Sequence, residues 1–202
     1  TATSTNFYNS YGVYAPGGGT SQKVVYSDND DFNLDGAFTI EFFLKMNSDT
    51  DCTIICDDGV NGDPQVKYTT TNDRIQLQSS NVNIELDENY NTALHFEDGN
   101  WHHVAFVRSA VNDTNAIYLF IDVVAQTLRA RQNSAGSSVN FNQMALFTGA
   151  VGRFPGYLQD LRIYKGVAKY TSNFIPASTN PDILPDTPSG VATKSQLTKI
   201  TD

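Results

Sequence analysis

The chain has 202 residues, of which 40% are hydrophobic and 17% are charged, and its formal net charge at pH 7 is -9. This length and hydrophobic content are enough for one sizeable core, and β-sandwiches of this size are often single domains. Lys and Arg form no cluster in the sequence, which argues against nucleic acid as a partner, because binding to phosphates needs a basic patch. No segment approaches the roughly 20 apolar residues of a membrane span, so membrane insertion is not expected.

Short runs of alternating apolar and polar residues, separated by Gly, Asn and Asp, predict an all-β protein. The clearest run is 37–46, AFTIEFFLKM, and both faces of 101–108 are apolar enough to predict an inner strand covered on both sides. Further predicted strands are residues 23–27, 52–56, 65–70, 74–78, 82–86, 116–122, 126–131, 144–147 and 157–164. In the last of these, Asp160 and Arg162 share a face and are expected to pair. Residues 167–170 are predicted to form a single helical turn.

The two cysteines, Cys52 and Cys56, are four residues apart in CTIIC. On a regular strand these positions are roughly 13 Å apart, which is too far for a disulfide. We therefore expect two buried, reduced thiols, although a turn between them would permit a disulfide. The sequence has no further Cys to complete a Cys-rich metal site.

The chain is predicted to have three parts. Residues 1–22 are polar and Gly-rich and can supply one strand, residues 23–176 form the sandwich, and residues 177–202 form an extension. The region from Pro176 onward has four prolines within thirteen residues and almost no large apolar side chain. Such a composition favours an extended linker, here leading to a following module.

Three sequence blocks resemble the laminin-G-like group of concanavalin A-like modules. They are SDNDDFNLDGAFTIEFFLKMN at 27–47, DGNWHHVAFVR followed by AIYLFID at 98–122, and VGRFPGYLQDLRIYKGVAKYTSNFIP at 151–176. Their order implies a two-sheet antiparallel jelly-roll sandwich, a fold that more often binds ligands than catalyses. The chain departs from the family at Asp122-Val123-Val124, where an Asp-Gly turn is usual, so neither a tight hairpin nor a ligand role is predicted there.

A narrower resemblance lies at the end of the third block and beyond it. The stretches GVAKYTSNFIP at 166–176 and LPDTPSGVA at 184–192 are similar to laminin-G-like modules in virion proteins of phages that infect marine cyanobacteria. The resemblance implies a non-enzymatic structural or adhesion module of a tail fibre or capsid-associated fibre, located in the virion. Its expected partners are other virion proteins, copies of itself and host-surface glycans. The alternative is a secreted, extracellular carbohydrate-binding adhesin of a bacterium.

No catalytic residues are predicted. Glucanases with this broad fold use two carboxylates across the sugar, and the nearest candidates here are Glu85 and Asp87, with Tyr90 where a further acid would be needed. Adjacent side chains on a strand point to opposite faces, so His102 and His103 are not expected to bind one metal ion. A glycoside hydrolase is therefore the least favoured interpretation.

Calcium is the expected cofactor, since laminin-G-like modules often carry it. The preferred candidate ligands are Asp57, Asp58 and Asp63, which lie in a loop with two glycines, and a second acidic stretch lies at 28–35. Calcium takes six to eight oxygen ligands, which carboxylates and loop carbonyls provide. The glycan would be held by exposed aromatic rings, for which the candidates are Tyr68, Tyr90, Phe154 and Tyr170.

Overall fold

The structure, a computed structural model, describes residues 2–4, 11–16, 23–58, 63–71, 73–87, 96–134, 136–149 and 151–174. Its strands are β1 Ala2–Ser4, β2 Tyr11–Pro16, β3 Val24–Val25, β4 Asn33–Leu34, β5 Phe38–Met46, β6 Cys52–Asp57, β7 Gln65–Thr69, β8 Arg74–Gln78, β9 Val82–Leu86, β10 His102–Arg108, β11 Ile117–Ile121, β12 Val124–Ala125, β13 Leu128–Asn133, β14 Val139–Asn140, β15 Met144–Leu146 and β16 Pro155–Lys165. A 3-10 turn, Asp30–Phe32, precedes β4. No helix in the described residues is long and apolar enough to cross a membrane.

Two seven-stranded antiparallel sheets form the predicted jelly-roll sandwich. Sheet A has the order β1-β2-β16-β5-β10-β11-β12, and sheet B has the order β13-β9-β8-β7-β6-β15-β3. Strands β8 and β9 coincide with their predicted bounds, whereas the short pair β4-β14 and strand β12 were not predicted. The helical turn predicted at 167–170 is wrong, because that segment is irregular.

The main core lies between the sheets and is made by the inward side chains of alternating strands. In β8, Ile75 and Leu77 are fully buried while the residues between them are half-buried, and in β9 Val82 and Ile84 behave in the same way. Strand β10 is buried at every position, so the prediction that it is covered on both faces is confirmed. Its second cover comes from 166–174, which packs Tyr170 against the outer side of sheet A.

Strand β16 contains an irregularity that the alternating pattern concealed. Asp160 has a φ of 53°, and the register with β5 shifts between Gln159 and Arg162. The bulge changes the phase of the strand, so that Leu158 and Leu161 both pack against the core. The predicted pair forms inside the bulge, with Arg162 Nε 2.8 Å from Asp160 Oδ1.

A two-residue hairpin joins β11 to β12 at the position where the sequence predicted none. Ile121 pairs with Val124, and the two turn residues, Asp122 and Val123, have φ of 47° and 70°. Positive φ at both central residues is typical of the tight turns that match the twist of a hairpin. The expectation was therefore wrong: Val123 adopts a conformation that usually favours glycine.

Both cysteines are free and buried, as predicted. Burial raises the pKa of Cys52 to about 12 and that of Cys56 to about 11. The Cys56 thiol donates a hydrogen bond of 2.9 Å to the carbonyl of Thr148. Neither group is therefore a thiolate at neutral pH, which is the form that reacts as a nucleophile.

Candidate functional site

Three carboxylates that are distant in sequence converge at one end of the sandwich. Asp49 follows β5, Asp73 precedes β8 and Glu97 precedes β10, and each contributes an oxygen to a group in which all oxygens lie within 4.8 Å of one another. Strand pairing explains why the three acids lie together. Cys52 pairs with Tyr68 and His102 pairs with Leu44, so the loops that carry the acids lie at the same end of the sandwich. We call this group the acidic cluster.

The acidic cluster stands on a buried tyrosine. The hydroxyl of Tyr68 lies 2.9 Å from Asp49 Oδ1 and 2.7 Å from Asp73 Oδ1, and the ring is fully buried. Burial and the two neighbouring carboxylates raise the pKa of this hydroxyl well above its usual value. It therefore stays protonated, and with its single proton it can donate to only one of the two acids at a time.

A histidine next to the acidic cluster, His102, contacts two turns at the same end of the sandwich. His102 Nδ1 lies 2.8 Å from Asp122 Oδ2, and its Nε2 lies 3.1 Å from Asp98 Oδ1. Burial lowers the pKa of His102, but the hydrogen bonds and charges of Asp122 and Asp98 outweigh it, and the net pKa is raised. Phe96 packs edge-on against both His102 and Tyr68, which connects this histidine to the floor of the acidic cluster.

The donors of the acidic cluster fit a hard cation. Carboxylate oxygens are the ligands that calcium prefers, and the three acids come from separate loops, as flexible calcium sites allow. Asp49, Asp73 and Glu97 would hold such an ion, which would supply positive charge at this end of the sandwich. Sequence reasoning missed them, since no two of them share a loop. The available signal was that each follows or precedes a predicted strand at the same end.

The loop predicted to bind calcium lies at the opposite end of the sandwich and does not assemble a ligand group among the described residues. Asp57 is fully buried, and its Oδ2 accepts hydrogen bonds from the backbone and side-chain nitrogens of Asn142. Asp58 forms an ion pair with Lys23, and Asp63 Oδ2 accepts a hydrogen bond from Ser80. Each of the three acids thus has a local contact, and calcium binding by this loop stays a prediction.

The aromatic rings predicted to be exposed are buried. Tyr68 and Phe154 have no exposed surface, and Tyr170 has 4%. Tyr68 supports the acidic cluster, Phe154 stacks on Phe147, and the hydroxyl of Tyr170 donates to Glu41. These three rings cannot present a face to a sugar, so that prediction is wrong. Tyr90, the fourth candidate, lies outside the described residues.

Glu85 and the two adjacent histidines, which were considered for catalysis and metal binding respectively, have structural partners. Glu85 Oε1 lies 2.6 Å from Arg74 Nη1, which makes it half of an ion pair. His102 contacts Asp98 and Asp122, whereas His103 lies on the other face of β10 with its Nε2 3.4 Å from Glu41 Oε2. The two adjacent histidines thus contact different groups, as the strand geometry predicts.

A second candidate surface is the outer face of sheet B. Strands β7, β8 and β9 alternate between buried core residues and polar residues that face outward, and β13 pairs with β9 at the edge of this face. The polar side chains of this face are Gln65, Lys67, Thr69, Arg74, Gln76, Gln78, Asn83, Glu85, Arg129 and Gln132. Eight of them are half-buried, and Arg129 and Gln132 are exposed. Amides and charged groups of this kind can bind a ligand rich in hydroxyls.

The fold is a two-sheet antiparallel β-sandwich of the laminin-G-like class. The Laminin_G_3 family, described as the concanavalin A-like lectin/glucanases superfamily, matches residues 17–170. The chain belongs to this family. Among curated proteins, none matches the sequence.

Solved structures of low sequence identity share the fold. Domain 4 of AbnA, a GH43 extracellular arabinanase from Geobacillus stearothermophilus solved with arabinotriose, has a TM-score of 0.55 and 17% identity, covering 82% of this chain and 76% of that one. A heptameric SAP-like pentraxin from Limulus polyphemus has a TM-score of 0.53 and 13% identity, with coverages of 73% and 72%. Domains LG4-5 of the mouse laminin alpha1 chain have a TM-score of 0.52 and 13% identity, with coverages of 75% and 40%.

Proposed function

We propose that this chain is a non-enzymatic adhesion module of a phage virion appendage and that it binds glycans of the host surface. The proposed glycan binding is supported by the outer face of sheet B. It offers amide and charged side chains from four adjacent strands, and these are the groups that hydrogen-bond sugar hydroxyls. A sugar-bound relative in fold, the arabinotriose complex of AbnA domain 4, supports the same interpretation.

The virion setting rests on the sequence of the third block and the Pro-rich region that follows it. The amino-acid sequences of residues 166–176 and 184–192 support a module that is arranged in series with others. Such arrays suit weak adhesion. Once one copy has bound, the linked copies are held near the surface at a high effective concentration, so the array binds more tightly than a single copy. Antibodies raised against this domain should label purified virus particles. Labelling of bacterial culture medium in the absence of particles would favour the secreted adhesin.

A glycan array tests the binding function directly. The purified domain should bind a defined class of glycans, and Gln76→Ala should weaken this binding by about fivefold or more, because one face-to-ligand hydrogen bond is lost. Gln143→Ala is the matched control, since Gln143 is exposed outside this face. A blank array with folded protein, or equal losses in both variants, would contradict the proposal.

We also propose that calcium binds at the acidic cluster rather than at the loop containing Asp57, Asp58 and Asp63. An ion that binds the folded state alone raises stability by about 2.7 kcal/mol at a concentration of 100 times its Kd. Millimolar calcium should therefore raise the Tm of the domain relative to a chelator. Asp49→Asn should remove this shift, and Asp58→Asn should retain it. Identical Tm values in calcium and in chelator would show that no stabilising site exists.

A further inference from the structure

A cleft opens between the two sheets at the edge of the sandwich where β3 is the last strand of sheet B. Its volume is about 440 Å³, which is typical of sites for small molecules. The wall from sheet B contains Met144 and Leu146 of β15 and Tyr26, which follows β3. The wall from sheet A is formed by β16. Since the cleft lies between the sheets, it is separate from the outer face of sheet B.

The bulge of β16 decides which side chains form the wall from sheet A. With strict alternation, the inward residue Leu158 would be followed on the same face by Asp160 and Arg162. Because β16 has one extra residue here relative to β5, the next residues that pack against the core are instead Leu161 and Ile163. The bulge therefore replaces an acid and a base by two aliphatic side chains and makes this wall largely apolar.

The cleft leads from an exposed rim to the main core. Tyr26 at the rim is 41% exposed, whereas Met144 and Leu158 are at most 3% exposed. Phe32, in the 3-10 turn, packs against the core and meets the ring of Tyr26 edge-on, with 6.1 Å between the ring centroids. A small molecule that enters beside Tyr26 can thus contact side chains of the core.

The lining favours an uncharged, apolar ligand over water. A bound water molecule needs two to four polar partners, whereas apolar cavities take up hydrocarbon-like molecules. Among the described residues that line the cleft, only Asp160 is charged, and its Oδ1 lies 2.8 Å from Arg162 Nε. A charged ligand would lose part of its hydration without gaining a counter-charge that is not already paired.

We infer that this cleft binds a small, uncharged aromatic molecule, which is a binding activity beyond the proposed glycan-binding function. An aromatic ring suits the lining better than an aliphatic one of the same size. Tyr26 and Phe32 supply ring faces and edges, and Met144 supplies a thioether sulfur, which makes favourable contacts with aromatic rings.

Three probes with one carbon framework test the ligand class: 2-naphthol, its saturated analogue decahydro-2-naphthol, and the anion 2-naphthoate. In calorimetric titrations at pH 7, 2-naphthol should bind with a Kd of about 1 mM or below. The anion should bind at least about tenfold more weakly because its charge has no partner. The saturated analogue should bind about threefold more weakly because it makes no ring contacts. No binding of 2-naphthol, or equal binding of either other probe, would overturn the inference.

Methyl signals in NMR spectra of the wild-type domain locate the site. Addition of 2-naphthol should shift the methyl signals of four lining residues, Met144, Leu146, Leu161 and Ile163. The methyl groups of Val111 and Val124 are exposed outside the cleft, and their signals should stay in place. Shifts as large at Val111 and Val124 as in the cleft would show non-specific binding and overturn the assignment.

A variant that fills the cleft gives an independent test. Leu161→Trp places an indole ring in the cleft, so the Kd for 2-naphthol should rise about tenfold or more, because the ring takes the space of the ligand. Val111→Trp is the matched control at a position that is 43% exposed, and it should change this Kd less than twofold. Equal effects of the two variants would overturn the assignment. If Leu161→Trp does not fold, the methyl shifts of the wild type decide. Glycan binding should be the same in both folded variants, so either proposal can fail while the other stands.

Discussion

The outer faces of the two sheets are built in opposite ways. On sheet A, outward positions carry Ala105, Val107 and Phe120, and the segment 166–174 covers them. On sheet B, outward positions of β7, β8 and β9 carry amides and charges that stay half-buried. The same strand geometry thus gives a covered face where the outward residues are apolar and a polar face where they are hydrophilic.

The cover on sheet A is held by a buried charge network. Lys169 Nζ lies 2.9 Å from Glu41 Oε1, and the hydroxyl of Tyr170 donates to Glu41 Oε2 at 2.7 Å. Lys169 also lies over the ring of Tyr164, 4.4 Å from its centroid. Both charged side chains are at most 5% exposed. The ion pair of sheet B, Arg74 with Glu85, is more exposed, at 17% and 12%.

The largest expected effect comes from breaking the buried pair of sheet A. Lys169→Met keeps most of the side-chain volume but leaves the Glu41 carboxylate buried with its cation removed. Such changes cost about 3–5 kcal/mol, so the free energy of unfolding in urea should fall by about that amount. The double variant Glu41→Gln with Lys169→Met should recover part of the loss. If Lys169→Met alone were as stable as the wild type, the segment 166–174 would contribute little to the free energy of unfolding.

Acid should loosen sheet A more than sheet B. Burial raises the pKa of Glu41, but His103 and Lys169 outweigh it and lower this pKa from 4.5 to about 2. A folded pKa below the unfolded value means that the stabilisation is complete above pH 4.5 and is lost as pH falls towards 2. The free energy of unfolding should therefore decline over this window by about 2–3 kcal/mol more in the wild type than in Glu41→Gln. Parallel pH profiles would contradict this role for Glu41.

The smallest effect is expected from the ion pair of sheet B. Glu85→Gln removes the partner of Arg74 on a face that water reaches, and such pairs contribute about 1 kcal/mol or less. Urea unfolding should show a loss within that limit. A loss as large as that of Lys169→Met would mean that the outer face of sheet B is effectively a second core, and the contrast between the sheets would fail.

The sequence predicted those features that depend on local pattern. Ile75 and Leu77 in β8 alternate with polar residues, and this alternation placed both the strand and its buried face correctly, because side chains on a strand repeat every two residues. The same rule failed in β16, where the bulge at Asp160 changes the phase. The turn at Val123 was missed for a different reason: its positive φ is a conformation that valine does not favour, so the residue type gave no signal.

Site residues were harder to predict, since a site depends on which loops meet. Asp57, Asp58 and Asp63 are close in sequence, yet each is engaged separately, whereas Asp49, Asp73 and Glu97 are distant and converge. The aromatic candidates failed for a related reason. Composition shows that rings are present, but only packing decides that Tyr68, Phe154 and Tyr170 point inward.

By itself, the sequence determined the all-β class, the approximate strands, the free cysteines and the family resemblance, because these follow from periodicity and short motifs. Only the tertiary structure decided which polar residues share a surface. Lys67, Gln76 and Arg129 become neighbours through the pairing of β7, β8, β9 and β13, and the acidic cluster forms because three loops end at the same edge of the sandwich. Strand pairing across long sequence separations brings together groups that no local pattern connects.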